Sequence, residues 1–185
     1  MKEYLKSQNK TNELVCKLNE NDEIRRFSKS EYRWAENRER SFSKMSVKKG
    51  EIYQFEFGKN FIPEMSYEHR GLVIGIRQKL LYVLPIFSYN PKRHTDVFHP
   101  IENSESKSDL FLLRSTDYPF ISHDSVLKLN DIRTVSINRI VYQHKGRIDP
   151  STETYKTIEL LAFQKVFPSF YYDYEKLKKA MYKDE

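Results

Sequence analysis

Hydrophobic positions change their period along this chain, and each change marks a different kind of element. Up to about residue 46 the sequence is charge-dense and free of Gly and Pro, with Leu14, Leu18, Ile24 and Phe27 at helical spacing. Ser28, followed three residues later by Glu31, reads as a capping box opening a second helix. On that helix Trp34, Ala35, Arg38, Phe42 and Met45 share a face that can dock on the rest of the protein.

After Gly50 the period falls to two. Tyr53, Phe55 and Phe57 alternate with Gln54 and Glu56, as in a strand with one face on a core, and Gly58 ends it. Leu72-Val73-Ile74 is the short apolar run of a strand buried on both sides. Leu80 to Phe87 follows after Gln78 and Lys79, a connection short enough for a β-hairpin. Residues 88–122 form a long insertion rich in turn formers, in which Val97-Phe98 and Leu110 to Leu113 predict short strands, and a further strand block runs from Asp124 to Ile140. Such an insertion suits substrate reading or gating. Asp149 and Pro150 predict an N-cap and first turn, opening a helix with Tyr155, Ile158, Leu161 and Ala162 on one face. Pro168 stops that helix, and Tyr174, Leu177 and Met181 mark a last short one.

A chain of 185 residues suits one domain with an appendage. With 38% hydrophobic and 31% charged residues its core is small, and the 14% aromatic content supplies much of the bulk. The net charge of +6 favours an anionic partner such as a phosphate backbone, although many basic proteins bind none. Cys16 stands alone, which excludes an internal disulfide and fits a reducing, cytoplasmic setting. No apolar run approaches membrane-spanning length, and the N-terminus lacks a signal-peptide core, so no membrane association is expected. The 5 glycines form no phosphate-cradling loop, Gly-x-Ser-x-Gly is absent, and His94, His99 and His123 lack metal-site spacing.

Three blocks, in this order and spacing, resemble the MazF/PemK family of toxin endoribonucleases. They are Lys49-Gly50-Glu51-Ile52-Tyr53; Glu64 with His69-Arg70-Gly71-Leu72-Val73-Ile74; and Asp124-Ser125-Val126 with Ile132-Arg133-Thr134-Val135 and Arg139-Ile140. The resemblance spans roughly residues 47 to 167. It implies an α+β, mainly β fold: an SH3-like small β-barrel of the MazF/PemK/CcdB type with N-terminal and C-terminal helices. Residues 1–46 are then a helical extension and 47–185 the barrel domain. It also implies a homodimer that cuts single-stranded RNA without metal or cofactor, leaving a 2′,3′-cyclic phosphate and a 5′-hydroxyl. The regulator implied is an antitoxin protein with an acidic tail.

Such cleavage needs a group to take the 2′-hydroxyl proton, another to protonate the leaving 5′-oxygen, and a cation for the phosphorane. On the matched positions His69 stands where the family usually has a catalytic arginine, and Arg70 where it has a proline. Either His69 has taken over proton transfer or Arg70 reaches the phosphate from one position later. Glu64, five residues before His69, matches the spacing of the family's loop glutamate and is expected here to orient His69 or to contact a base. In Pro85-Ile86-Phe87-Ser88, Phe87 replaces the phosphate-holding threonine; Ser88 then supplies the hydroxyl, or Phe87 stacks on a base. Arg133 and Thr134 are expected near the RNA groove, with His123, Lys92 and Arg93 as further RNA contacts.

Each of these residues has a plainer reading as well. Glu64 is then a solvated loop charge, His69 a half-buried residue satisfied by a carbonyl, and Arg133 a structural salt bridge. The departures at positions 70 and 87 also leave open a barrel that has lost the chemistry and binds RNA or protein.

Overall fold

The computed structural model describes residues 1–18, 21–39 and 46–181. Its fold is α+β, mainly antiparallel sheet. Two helices, α1 (Lys2–Val15) and α2 (Asn21–Glu39), precede strands β1 (Glu51–Glu56), β2 (Glu68–Arg77), β3 (Leu80–Ser88), β4 (Leu110–Leu113), β5 (Ser125–Lys128), β6 (Arg133–Ser136) and β7 (Ile140–Arg147). Helices α3 (Glu153–Val166) and α4 (Pro168–Met181) close the order.

The sheet order is β4-β5-β3-β2-β1-β7, with β6 also on β3. One edge of β3 serves two neighbours: Leu80 to Val83 pair with β6, and Ile86 to Ser88 with β5. The pairing describes an open sheet rather than the closed barrel expected from the family resemblance.

The strand readings translate directly into packing. On β1, Tyr53 and Phe55 face one buried cluster with Val73, Val83 and Ile140, while Ile52 faces the other with Leu72, Leu84 and Leu127. Strand β2 is therefore buried on both sides, as its unbroken apolar run predicts. The hairpin closes through Gln78, which adopts a φ of 56°. Helix α3 lays Tyr155, Ile158 and Ala162, all fully buried, over the Leu72 side. Each contributes on the order of a kcal/mol or more from apolar burial.

Several local expectations shift. The α3 N-cap is Thr152, whose hydroxyl accepts from the Tyr155 backbone N–H, not Asp149. Asp149 instead accepts from Ser151 N and Oγ at 3.0 and 2.9 Å, a turn that brings Thr152 into place. Ser28 lies inside α2, because the helix runs unbroken from Asn21 and needs no start there. The docking face of α2 is Phe27, Ser30 and Arg33, whereas Trp34 and Ala35 are exposed. Phe42 and Met45 lie outside the described residues, as does the Arg38 side chain. Val97-Phe98 forms no strand, only a bridge from Phe98 to Phe111. Leu14, Tyr174, Leu177 and Met181 are exposed, so α1 and α4 keep these side chains off the core.

Polar contacts fasten α2. Ser30 Oγ donates at 2.8 Å to the Glu56 carboxylate, which is 4% exposed and also accepts from the Gly58 N–H. Arg33 and Lys29 both pair with Glu68, and Lys59 pairs with Glu31. No helix among the described residues is long and apolar enough to cross a membrane.

Candidate functional site

Sheet order turns separate strand positions into neighbours. Tyr142 on β7 stands opposite Gln54 on β1, Gln54 opposite Arg70 on β2, Arg70 opposite Ile86 on β3, and Ile86 opposite Leu127 on β5. Residues directly opposed share a face, as do residues two apart on a strand. Ser88 and Ser125, themselves paired, thus stand on the Arg70 face, and so does His144. Its Nε2 lies 3.2 Å from Gln54 Oε1.

The segment leading into β5 delivers one more group. Phe120 lies against the backbone of Gly146, and from there the chain crosses to β5, carrying His123 to the end of β3. His123 Nε2 lies 2.8 Å from Ser88 Oγ and 3.4 Å from Arg70 Nη2, while its Nδ1 is 2.9 Å from Ser122 Oγ. A guanidinium only donates, so the arrangement that serves all three contacts leaves Nε2 as acceptor and puts the ring proton on Nδ1, toward Ser122. Arg70 also donates to Ser125 Oγ at 3.1 Å.

Burial pulls the Arg70 guanidinium below its ordinary value, with Tyr142 opposing, but an arginine so placed keeps its charge. Burial also holds the His144 imidazole below its ordinary value, and the charge of Arg70 adds to the effect. The site therefore presents a fixed cation between two imidazoles, with hydroxyls beside it. Next to it, Tyr89, Pro91, Arg114 and Asp124 help line an open cleft of about 610 Å³ that His123 also borders. Asp124 accepts from the Ser115 N–H and from Arg114 Nη1, at 2.8 and 2.6 Å, and these donors hold its carboxyl below the usual value. Arg114 also pairs with Glu102, so the loops bordering His123 are pinned.

The sequence-derived candidates separate into groups. Arg70, Ser88 and His123 come together. His69 does not join them: the adjacent position on β2 faces the other side, opposite Phe55, where its Nδ1 contacts the Ser66 carbonyl at 2.9 Å. That carbonyl can only accept, so the proton sits on Nδ1. Burial lowers the affinity of His69 for a second proton, with the Ser66 bond opposing.

Glu64 is paired with Arg133 Nη2 at 3.3 Å, and Arg133 also with Asp131 at 2.6 Å. Arg133 stands opposite Val83, on the side of β3 away from Arg70, and Thr134 is exposed opposite Tyr82. Phe87 packs with Val97, Leu112 and Val126, its ring 5.3 Å edge-on from His94, and faces away from Ser88. Lys92 and Arg93 are exposed on the turn that carries Pro91.

Sequence reasoning missed His144, Tyr142, Gln54 and Ser125. The signal for the first pair is Tyr142-x-His144, two polar rings at strand spacing, which share a face with ring centroids 5.1 Å apart. Among the described residues no group of three or more His, Cys, Asp or Glu could hold a metal ion. No model of a known protein family matches the chain, and no curated protein matches it.

Proposed function

We propose that this protein is an endoribonuclease of the MazF/PemK type, cutting single-stranded RNA by attack of the ribose 2′-oxygen on the adjacent phosphorus. One observation carries the reading: Arg70 stands with His123, Ser88 and His144 on a single face. Arg70 holds the scissile phosphate and offsets charge on the phosphorane. His123 Nε2 takes the 2′-hydroxyl proton; the P–O5′ bond then breaks, and the 5′-oxygen leaves with a proton from His144, in the fraction of molecules whose His144 carries a second proton that burial and the Arg70 charge make ready to leave. The products are a 2′,3′-cyclic phosphate and a 5′-hydroxyl.

The double duty of β3, with β6 and β5 along one edge, supports an SH3-like curvature, as does the position of α3 over the sheet. The net charge of +6 suits a polyanion and an acidic antitoxin tail alike. A homodimer and a cytoplasmic setting complete the proposal and rest on the resemblance. A second reading, a binding module without chemistry, is favoured by Phe87, which puts a packed ring where the family has a threonine hydroxyl.

The test is incubation with a long single-stranded RNA in excess EDTA, with new ends mapped by primer extension. Wild type and His69→Ala give discrete cuts. Arg70→Ala loses activity by roughly 10²–10³-fold and His123→Ala by roughly 10²–10⁴-fold. Undiminished cutting by Arg70→Ala refutes the mechanism, and bound but uncut RNA selects the binding module.

A further inference from the structure

The geometry points to α4 as a pairing surface for a second copy of this chain, laid parallel to the first in a short two-helix coiled coil. Phe167, Phe170, Tyr174, Leu177 and Met181 follow one another at alternating intervals of three and four residues, the a and d positions of a heptad. The Tyr171 N–H donates to the Phe167 carbonyl at 2.9 Å, so the first turn of this helix reaches back to Phe167. Pro168 suits the first helical position, where no N–H is needed.

The seam is apolar and open. All five side chains are more than half exposed, with Phe170 and Leu177 at 64% and Met181 at 76%. A large aromatic side chain can bury about 150–250 Å², so five half-exposed side chains, three of them aromatic, leave roughly 500 Å² on each copy. Two such faces together reach about 1,000 Å², what a specific interface needs. A helix of 14 residues is also marginal in water by itself, and burying its seam supplies stability that solvent does not.

Charge selects both the occupant and its direction. With Tyr174 at a and Leu177 at d, Asp173 takes position g and Lys178 position e. In a parallel pair, g of one helix faces e of the next heptad on the other, so Asp173 meets Lys178 of the second copy, once on each side of the seam. An antiparallel pair sets g against g and e against e, and brings these two charges no closer. Glu175, Lys176 and Lys179 fall at b, c and f, clear of the contact. Helix α4 lies beyond residues 47–167, the span of the family resemblance, so this pairing does not depend on the ribonuclease reading.

Analytical ultracentrifugation of the full chain tests the seam, with thermal melts to confirm that each variant keeps its fold. The wild type is expected to sediment as a concentration-dependent dimer. Leu177→Glu raises the dissociation constant by about a hundredfold, because each copy forfeits a buried leucine, whereas Tyr172→Glu, at f on the opposite face, leaves it unchanged. Asp173→Lys weakens pairing about tenfold by setting lysines against each other, and adding Lys178→Asp restores most of it. In a Cys16→Ser background, copper phenanthroline oxidises Leu177→Cys to a disulfide-linked dimer, since d faces d in a parallel pair, but does not link Tyr172→Cys. A monomer at every concentration, a dimer untouched by Leu177→Glu, or a charge swap that restores nothing overturns the seam. The two readings fail separately. Pairing through α4 without RNA cleavage by the wild type keeps the seam and removes the enzyme, whereas cleavage with α4 unpaired removes the seam alone.

Discussion

Gly146→Ala tests whether the segment carrying His123 is held by its packing against β7. A Cβ at position 146 lies 2.1 Å from Cδ2 of Phe120 and 2.4 and 2.7 Å from Cγ and Cε2. Carbon atoms in contact sit about 3.5–4.0 Å apart, so the ring must withdraw by roughly 1.5 Å. Cγ is close to the backbone, so a rotation at the ring's far end does not relieve the clash. Phe120 also packs on Tyr118, with ring centroids 5.6 Å apart, and against the cluster of Leu72, Leu84 and Ile121. Overpacking of this kind costs about 1–3 kcal/mol, read as a lower urea midpoint at unchanged slope.

The displacement also reaches His123, three residues on, whose 2.8 Å contact with Ser88 does not survive a shift of that size. A misplacement of about 1 Å lowers a positioned reaction roughly 100-fold. Phe120→Ala makes room for the methyl, so the Gly146→Ala penalty should shrink in that background, with a coupling of about 0.5–3 kcal/mol. An unchanged midpoint for Gly146→Ala, or an equal penalty in both backgrounds, refutes the packing argument.

Other consequences are as direct. His69 and His144 bind protons less readily in the folded chain than the ordinary imidazole value of 6.5 implies. The unfolded chain therefore takes up more protons as pH falls through that value, and stability drops from about pH 7 toward about pH 5. His69→Asn should flatten this slope in denaturation curves; an unaltered slope would contradict the burial of His69. Thr152→Ala removes the α3 N-cap and should cost about 1 kcal/mol by chemical denaturation, while Asp149→Ala should cost less. Ser30→Ala leaves the buried Glu56 carboxylate one donor short, at about 1–3 kcal/mol, and should increase hydrogen exchange in α2. Unchanged exchange there would show that this bond does not fasten the helix.

Local periodicity determined much of the architecture. The alternation of Tyr53, Phe55 and Phe57, the unbroken run at Leu72, the hairpin at Gln78 and the apolar face of α3 each follow from side-chain spacing within one element, and the structure contains all four. Caps and helix starts were less legible, because Ser28 and Asp149 carry the right chemistry in the wrong place. Ser28 is overridden by a helix already under way, and Asp149 forms its own turn before the true cap.

The composition of the Arg70 face was decided by the tertiary structure. Period two puts His69 and Arg70 on opposite sides of β2. The strand is apolar on both sides, so nothing in its own pattern says which of them joins Ser88. That choice comes from the order β5-β3-β2-β1-β7, which sets Arg70 between Gln54 and Ile86. It also brings in His123 and His144, from positions 53 and 74 residues further along the chain.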